Sequence, residues 1–187
     1  MKAVPGFLLA VCVAACSLPG PREPDRYFLL DAGLALDAKA RAGASVTVTP
    51  TSASSFYDTQ EIAYSRAPGT RAYYQFNRWT DRPQRRIHAL LASRLDGGGA
   101  KEALRLNTHL EEIYHDASQE PGTAQITVAA ELVDSASRAV LARRTFTRSA
   151  PAASYDAPGA VRGFNEALAA LLGDIEGWVD TQARRPR

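Results

Sequence analysis

Leu104-Arg105-Leu106-Asn107-Thr108-His109-Leu110 alternates strictly, putting Leu104, Leu106, Thr108 and Leu110 on one face of an extended chain. The alternation predicts a half-buried strand from Leu104 to His115. Ala124 to Asp134 repeats the pattern, with Ile126, Val128, Ala130 and Leu132 on one face, and Val140 to Arg148 reads as a further strand. Ser135-Ala136-Ser137-Arg138 is the hairpin turn joining the last two. The next segment changes period. Val161, Phe164, Leu168, Leu171, Leu172, Ile175, Trp178 and Val179 form one apolar face of a long helix begun at Pro158.

Upstream of Leu104, Ile87, Leu90, Leu91 and Leu95 recur at helical spacing. Asp81 is placed as N-cap, Pro83 lies in the first turn, and Gly97-Gly98-Gly99 ends the helix. Arg82, Arg85, Arg86 and Arg94 lie mainly off its apolar stripe. Glu61 to Arg66 and Arg71 to Phe76 make a hairpin around Ala67-Pro68-Gly69-Thr70. Thr51 to Thr59 reads as a Ser/Thr-rich loop, and Ser45 to Thr49 as a strand with Val46 and Val48 on one face. Tyr27-Phe28-Leu29-Leu30-Asp31 reads as a short buried strand. Strands broken by one helix and closed by another predict an α+β fold: one domain, a mainly antiparallel sheet, two helices packed on it.

The first residues have a different logic. Lys2, then an apolar run from Phe7 to Val13, then Ala14-Ala15-Cys16 has the layout of a secretory signal, and the ending resembles the lipobox of bacterial lipoproteins. In that arrangement Cys16 is acylated, with palmitate among its chains, and becomes the first residue after cleavage. Cys12 fits less well, because Val11 before it is large for the site. The apolar run falls short of the ~20 residues of a spanning helix. Pro19, Pro21 and Pro24 make Ser17 to Arg26 an extended tether reaching roughly 30 Å. The expected division is 1–15 signal peptide, 16–26 lipidated start and tether, 27–180 folded domain and 181–187 basic tail.

Of 187 residues, 172 remain after the signal, enough for one domain with its own core. The formal charge is +2, or +1 without Lys2, so no net field argues for nucleic acid. With Cys16 acylated, the mature chain has no thiol left for a disulfide or a thiolate metal site.

The search for chemistry excludes more than it finds. Gly97-Gly98-Gly99-Ala100-Lys101 follows a helix and has no Ser or Thr after the lysine, so it is no phosphate loop. No G-x-S-x-G occurs. His109 and Glu111 share a strand face, but His115 is too far along and His88 lies on another element, so no third ligand closes a zinc site. Glu111 and Glu112 point to opposite faces and make a poor acid/base pair. The expectation is therefore no catalytic residues, no metal, no cofactor and no enzyme. Ala72-Tyr73-Tyr74-Gln75-Phe76-Asn77-Arg78-Trp79 is more informative, an aromatic strand running into the arginine helix. Tyr73 to Phe76 read as core and cross-strand pairing. Arg78 and Trp79 have two open roles, sealing the sheet end or facing a partner.

These features together resemble the ABC-type transport auxiliary lipoproteins, PqiC-like proteins named after the paraquat-inducible C lipoprotein. The resemblance rests on the lipobox at Cys16, on Tyr27-Phe28-Leu29-Leu30-Asp31, and on the tyrosine strand leading to Asn77-Arg78-Trp79. Leu90-Leu91-Ala92-Ser93-Arg94-Leu95 and the Ala/Leu-rich last helix extend it over essentially the whole mature chain. Ile113 and Tyr114 occupy a region where the family usually has an aromatic. The resemblance implies a periplasmic auxiliary of MCE-type lipid transport, with an MCE-domain protein and ABC transporter subunits as partners. It leaves room for a lipid ligand and a homo-oligomer. Ser17 after the acylated cysteine implies export to the periplasmic face of the outer membrane. The alternative is an envelope-assembly, chaperone or cell-wall-binding lipoprotein with no transporter. A small envelope hydrolase is a third reading, disfavoured by the failed search for a site.

Overall fold

In the computed structural model, residues 23–33, 46–95 and 103–185 are described. The strands are β1 (Arg26–Phe28), β2 (Val46–Val48), β3 (Ser52–Ala53), β4 (Glu61–Ser65), β5 (Ala72–Trp79), β6 (Leu104–Asp116), β7 (Thr123–Asp134) and β8 (Val140–Pro151), and the helices are α1 (Pro83–Leu95) and α2 (Ala157–Ala183). The main path of the sheet is β1-β5-β4-β6-β7-β8. The predicted α+β architecture, an open sheet with two helices, is the observed one.

The alternating run sits at the centre. Leu104, Leu106 and Leu110 are at most 1% exposed, as are Ile126, Val128 and Leu132 on β7, where Leu132 faces Leu106 and Val128 faces Leu110. β6, β7 and β8 form long antiparallel ladders. On its other edge, β6 is met end to end by β2, β3 and β4, all parallel to it, and β1 joins β5 in parallel. The sheet is thus mixed, because short strands arriving from loops can pair in either sense.

α2 lies over β7 and β8 and α1 over β2 and β6. Every residue of the predicted α2 face is buried, with Trp178 edge-on to Phe146 and Phe164 edge-on to Trp79. Asp156 caps the helix, its carboxylate accepting from the Gly159 N–H at 2.8 Å. At Gly163 the helix comes so close to the sheet that a Cβ would stand 2.9 Å from the Ala124 Cβ and the Pro151 carbonyl oxygen.

Several local expectations are corrected. β1 is an edge strand, with Tyr27 59% and Leu29 50% exposed, and of Tyr27 to Asp31 only Leu30 is buried. The Thr51–Thr59 loop contains β3 and a 3-10 turn (Ser55–Tyr57). Asp81 stands one residue ahead of the cap position, since the carbonyl of Arg82 accepts the first helical bond. The Asp81 carboxylate instead accepts from the Arg82 N–H and pairs with Arg85 at 3.7 Å. α2 continues past residue 180 to Ala183. Gly97-Gly98-Gly99 lies outside the described residues, as does Ser45 at the start of the expected Ser45–Thr49 strand.

Candidate functional site

The β4–β5 hairpin is irregular. Glu61 pairs with Arg78 and Ala63 with Tyr73, so two steps along β4 match five along β5. Tyr74 to Asn77 therefore face Ile62 alone, a wide bulge that opens a hollow of about 520 Å³. Glu61, Tyr64, Arg66, Tyr73, Tyr74, Gln75 and Arg78 line it.

Each wall is held from behind. The Tyr73 ring stacks on Phe56 at 4.5 Å and its hydroxyl donates to the Phe56 carbonyl. Tyr64 and Tyr74 meet at 4.7 Å between centroids, and the Arg66 guanidinium lies 5.1 Å over the Tyr64 ring. Arg78 is bracketed by Asp25 at 3.5 Å and Glu61 at 3.4 Å. Burial pushes the Tyr74 phenol up to about 12, so it keeps its proton at neutral pH.

Behind Tyr74 is His115, fully buried. Its Nε2 lies 3.0 Å from the Pro121 carbonyl oxygen and its Nδ1 2.7 Å from the Tyr74 hydroxyl. A carbonyl only accepts, so Nε2 carries the hydrogen and Nδ1 accepts from Tyr74. Burial lowers the His115 pKa below its ordinary 6.5, outweighing the opposing Pro121 hydrogen bond and the charges of Asp116 and Asp156. Because the folded pKa is depressed, the neutral ring's contribution to stability is complete above about pH 6.5 and is lost as pH falls through the folded value. Wild type should therefore lose more stability between pH 7.5 and 5 than His115→Gln in urea melts. Equal losses would show that His115 is not the group responsible.

His115 is reached through a bulge that alternation did not anticipate. Leu110 pairs with Val128 but Glu112 with Thr127, so Glu111 is an extra residue and the core face passes from even to odd numbers. His109 and Glu111 form no metal-binding pair. The two ring nitrogens of His109 face the Ser52 hydroxyl at 2.8 Å and the Ser54 hydroxyl at 3.3 Å, beside a shallow depression on the face opposite the helices. Glu112 takes Arg71 at 3.1 Å, and that guanidinium also covers the Tyr114 ring at 3.6 Å. His88 is on α1. Among the described residues no three His, Cys, Asp or Glu side chains gather to hold a metal.

The arginine helix is turned inward electrostatically. Arg82 pairs with Asp58 at 2.6 Å, Arg86 with Asp31 at 3.2 Å and Arg94 with Glu176 at 2.9 Å. Trp79 is 1% exposed and edge-on to Phe164, where its side chain seals the end of the sheet. Arg78 is half-buried in its two ion pairs. Sequence reading missed Tyr64 and Arg66 as companions of the tyrosine strand. The sequence shows the hairpin arms as equal, six residues each, whereas β4 has five residues and β5 eight. Cys16 and Ser17 lie outside the described residues.

The model of the ABC-type transport auxiliary lipoprotein component family matches residues 27–176, and the chain belongs to that family. No curated protein matches the sequence. Among solved structures, a Xanthomonas campestris protein assigned to DUF330 superposes with a TM-score of 0.69 at 23% identity, over 76% of this chain and 89% of that one. An uncharacterized protein gives 0.64 at 12% identity over 84% and 99%, and a hypothetical protein from Chlamydia trachomatis gives 0.51 at 10% over 76% and 99%. These likenesses concern the fold.

Proposed function

We propose that the chain is a non-enzymatic auxiliary lipoprotein of an MCE-type ABC transport system, anchored through acylated Cys16 on the periplasmic face of the outer membrane. There it supports phospholipid movement between the two membranes and envelope integrity. The observation that carries this is the family match over residues 27–176, which begins eleven residues after the lipobox cysteine. The hollow fits a binding role. Tyr73 is held by Phe56, Tyr74 by His115, and Arg78 by Asp25 and Glu61. The decisive experiment is affinity purification of the full-length protein from membranes. Co-purification of an MCE-domain protein is expected; recovery of envelope-assembly or cell-wall factors without one would favour the alternative.

The anchor is tested separately. Two or more acyl chains suffice for stable attachment. Cys16→Ala should abolish labelling by a clickable fatty acid and release the domain from membranes. Retained label would overturn the assignment. Ser17→Asp should move the protein from outer- to inner-membrane fractions on a sucrose gradient; wild type tracking with inner-membrane markers would refute the outer-membrane placement.

A further inference from the structure

The charges around the β5 hollow are unevenly paired. Arg66 is exposed and has no carboxylate partner among the described residues. Arg78 stands between Asp25 and Glu61. One guanidinium is therefore free, and the other three groups together carry a single negative charge. The rings of Tyr64, Tyr73 and Tyr74 complete the walls. Such a hollow suits a ligand with one anion and one cation close together. A free guanidinium, with the Gln75 amide in the same lining, is a donor set for a phosphate diester. Tyrosine faces near an excess carboxylate attract an ammonium group. The Tyr64 ring already holds one cation, the Arg66 guanidinium 5.1 Å above it. The mainly polar walls and the volume of about 520 Å³ suit a headgroup, not acyl chains.

The same edge of the sheet has features of a membrane-facing surface. Tyr27 stands opposite Arg78 in the β1–β5 register, and Leu29 follows two residues on. They are 59% and 50% exposed, among the most exposed large apolar side chains described. A tyrosine beside an aliphatic side chain is at home where headgroups meet acyl chains. Asp25, whose carboxylate is 3.5 Å from Arg78, belongs to the segment that follows the expected anchor. Glu23 is seven residues after Cys16, a reach of roughly 22 Å at most in an extended linker. An acyl anchor at Cys16 therefore keeps this edge near the bilayer that holds it.

We infer that the hollow binds the zwitterionic headgroup of a phospholipid, with the phosphate on Arg66 and the ammonium among the tyrosines beside Glu61. The inference deepens the transport reading and rests on it for the bilayer alone. The test is native mass spectrometry of the full-length acylated protein in detergent, counting adducts of dioleoyl phosphatidylethanolamine, phosphatidylcholine and phosphatidylglycerol. Retention of either zwitterionic lipid several-fold above phosphatidylglycerol is expected. The chain's formal charge of +2 would by itself favour the anionic lipid, so the preference has to come from a local site. Arg66→Gln should lower retention of all three lipids several-fold. Glu61→Gln should erase the preference over phosphatidylglycerol. Arg143→Gln, on β8 and outside the hollow's lining, should change neither. Soluble glycerophosphoethanolamine should compete, and inorganic phosphate should compete more weakly. Phosphatidylglycerol retained as well as the others, equal competition by phosphate, or unchanged binding in Arg66→Gln would each overturn the inference. If Glu61→Gln shifts the thermal melt, Asp25→Asn removes a charge of the same set and decides by the same outcomes. Co-purification of an MCE-domain protein is read separately, so a failed headgroup site leaves the transport reading standing, and the converse holds.

Discussion

Replacing Trp79 with alanine should cost about 3–5 kcal/mol of stability, the range for deleting a large aromatic from a packed core. The indole is 1% exposed and rests edge-on against Phe164, which is itself fully buried on α2. It therefore joins the end of β5 to the last helix, and its removal leaves a cavity beneath both. A domain of this size has roughly 5–15 kcal/mol in all, so the variant should melt far earlier or fail to fold. Urea denaturation of the mature domain measures it. A residue serving a partner would behave oppositely, with stability kept and co-purification lost. A loss under about 1 kcal/mol would mean that Trp79 is not the core residue its burial indicates.

The second large effect has a sign that helix propensity predicts wrongly. Glycine to alanine inside a helix usually gains about 0.5–1 kcal/mol. Gly163→Ala should instead destabilise by about 1–3 kcal/mol, the cost of overpacking. Its new Cβ would meet the Ala124 Cβ and the Pro151 carbonyl at 2.9 Å and the Ala150 carbonyl at 3.1 Å, and most of these are backbone atoms of the sheet that cannot rotate aside. Gly173 lies on the same helix with nothing within 4 Å of a Cβ, so Gly173→Ala should show the ordinary gain. Thermal melts of the two variants against wild type read both signs. Stabilisation by Gly163→Ala would show that α2 can lift from the sheet at little cost.

Periodicity determined a great deal. The α2 face was legible from Val161 to Val179 because a helix packed on a sheet must keep one stripe apolar, and all of those residues are buried. The faces of β6 and β7 were legible up to Leu110 for the corresponding reason in strands. The class of protein was legible too, through the lipobox and the Tyr73–Trp79 unit, and the family match over residues 27–176 agrees. What escaped was whatever depends on register. One extra residue at Glu111 moved His115 into the core, although nothing in Glu111-Glu112 marks a bulge. Four unmatched residues on β5 opened the hollow and brought Tyr64 and Arg66 to it from another strand. The parallel pairing of β1, β2, β3 and β4 was equally hidden, since an alternating strand carries no record of its neighbour's direction. The arginines of α1 could be seen as a charged surface, but only the tertiary structure showed Asp58, Asp31 and Glu176 reaching them. Periodicity is local and survives in one dimension. Bulges, strand sense and ion pairs are settled by contacts between segments far apart in the chain.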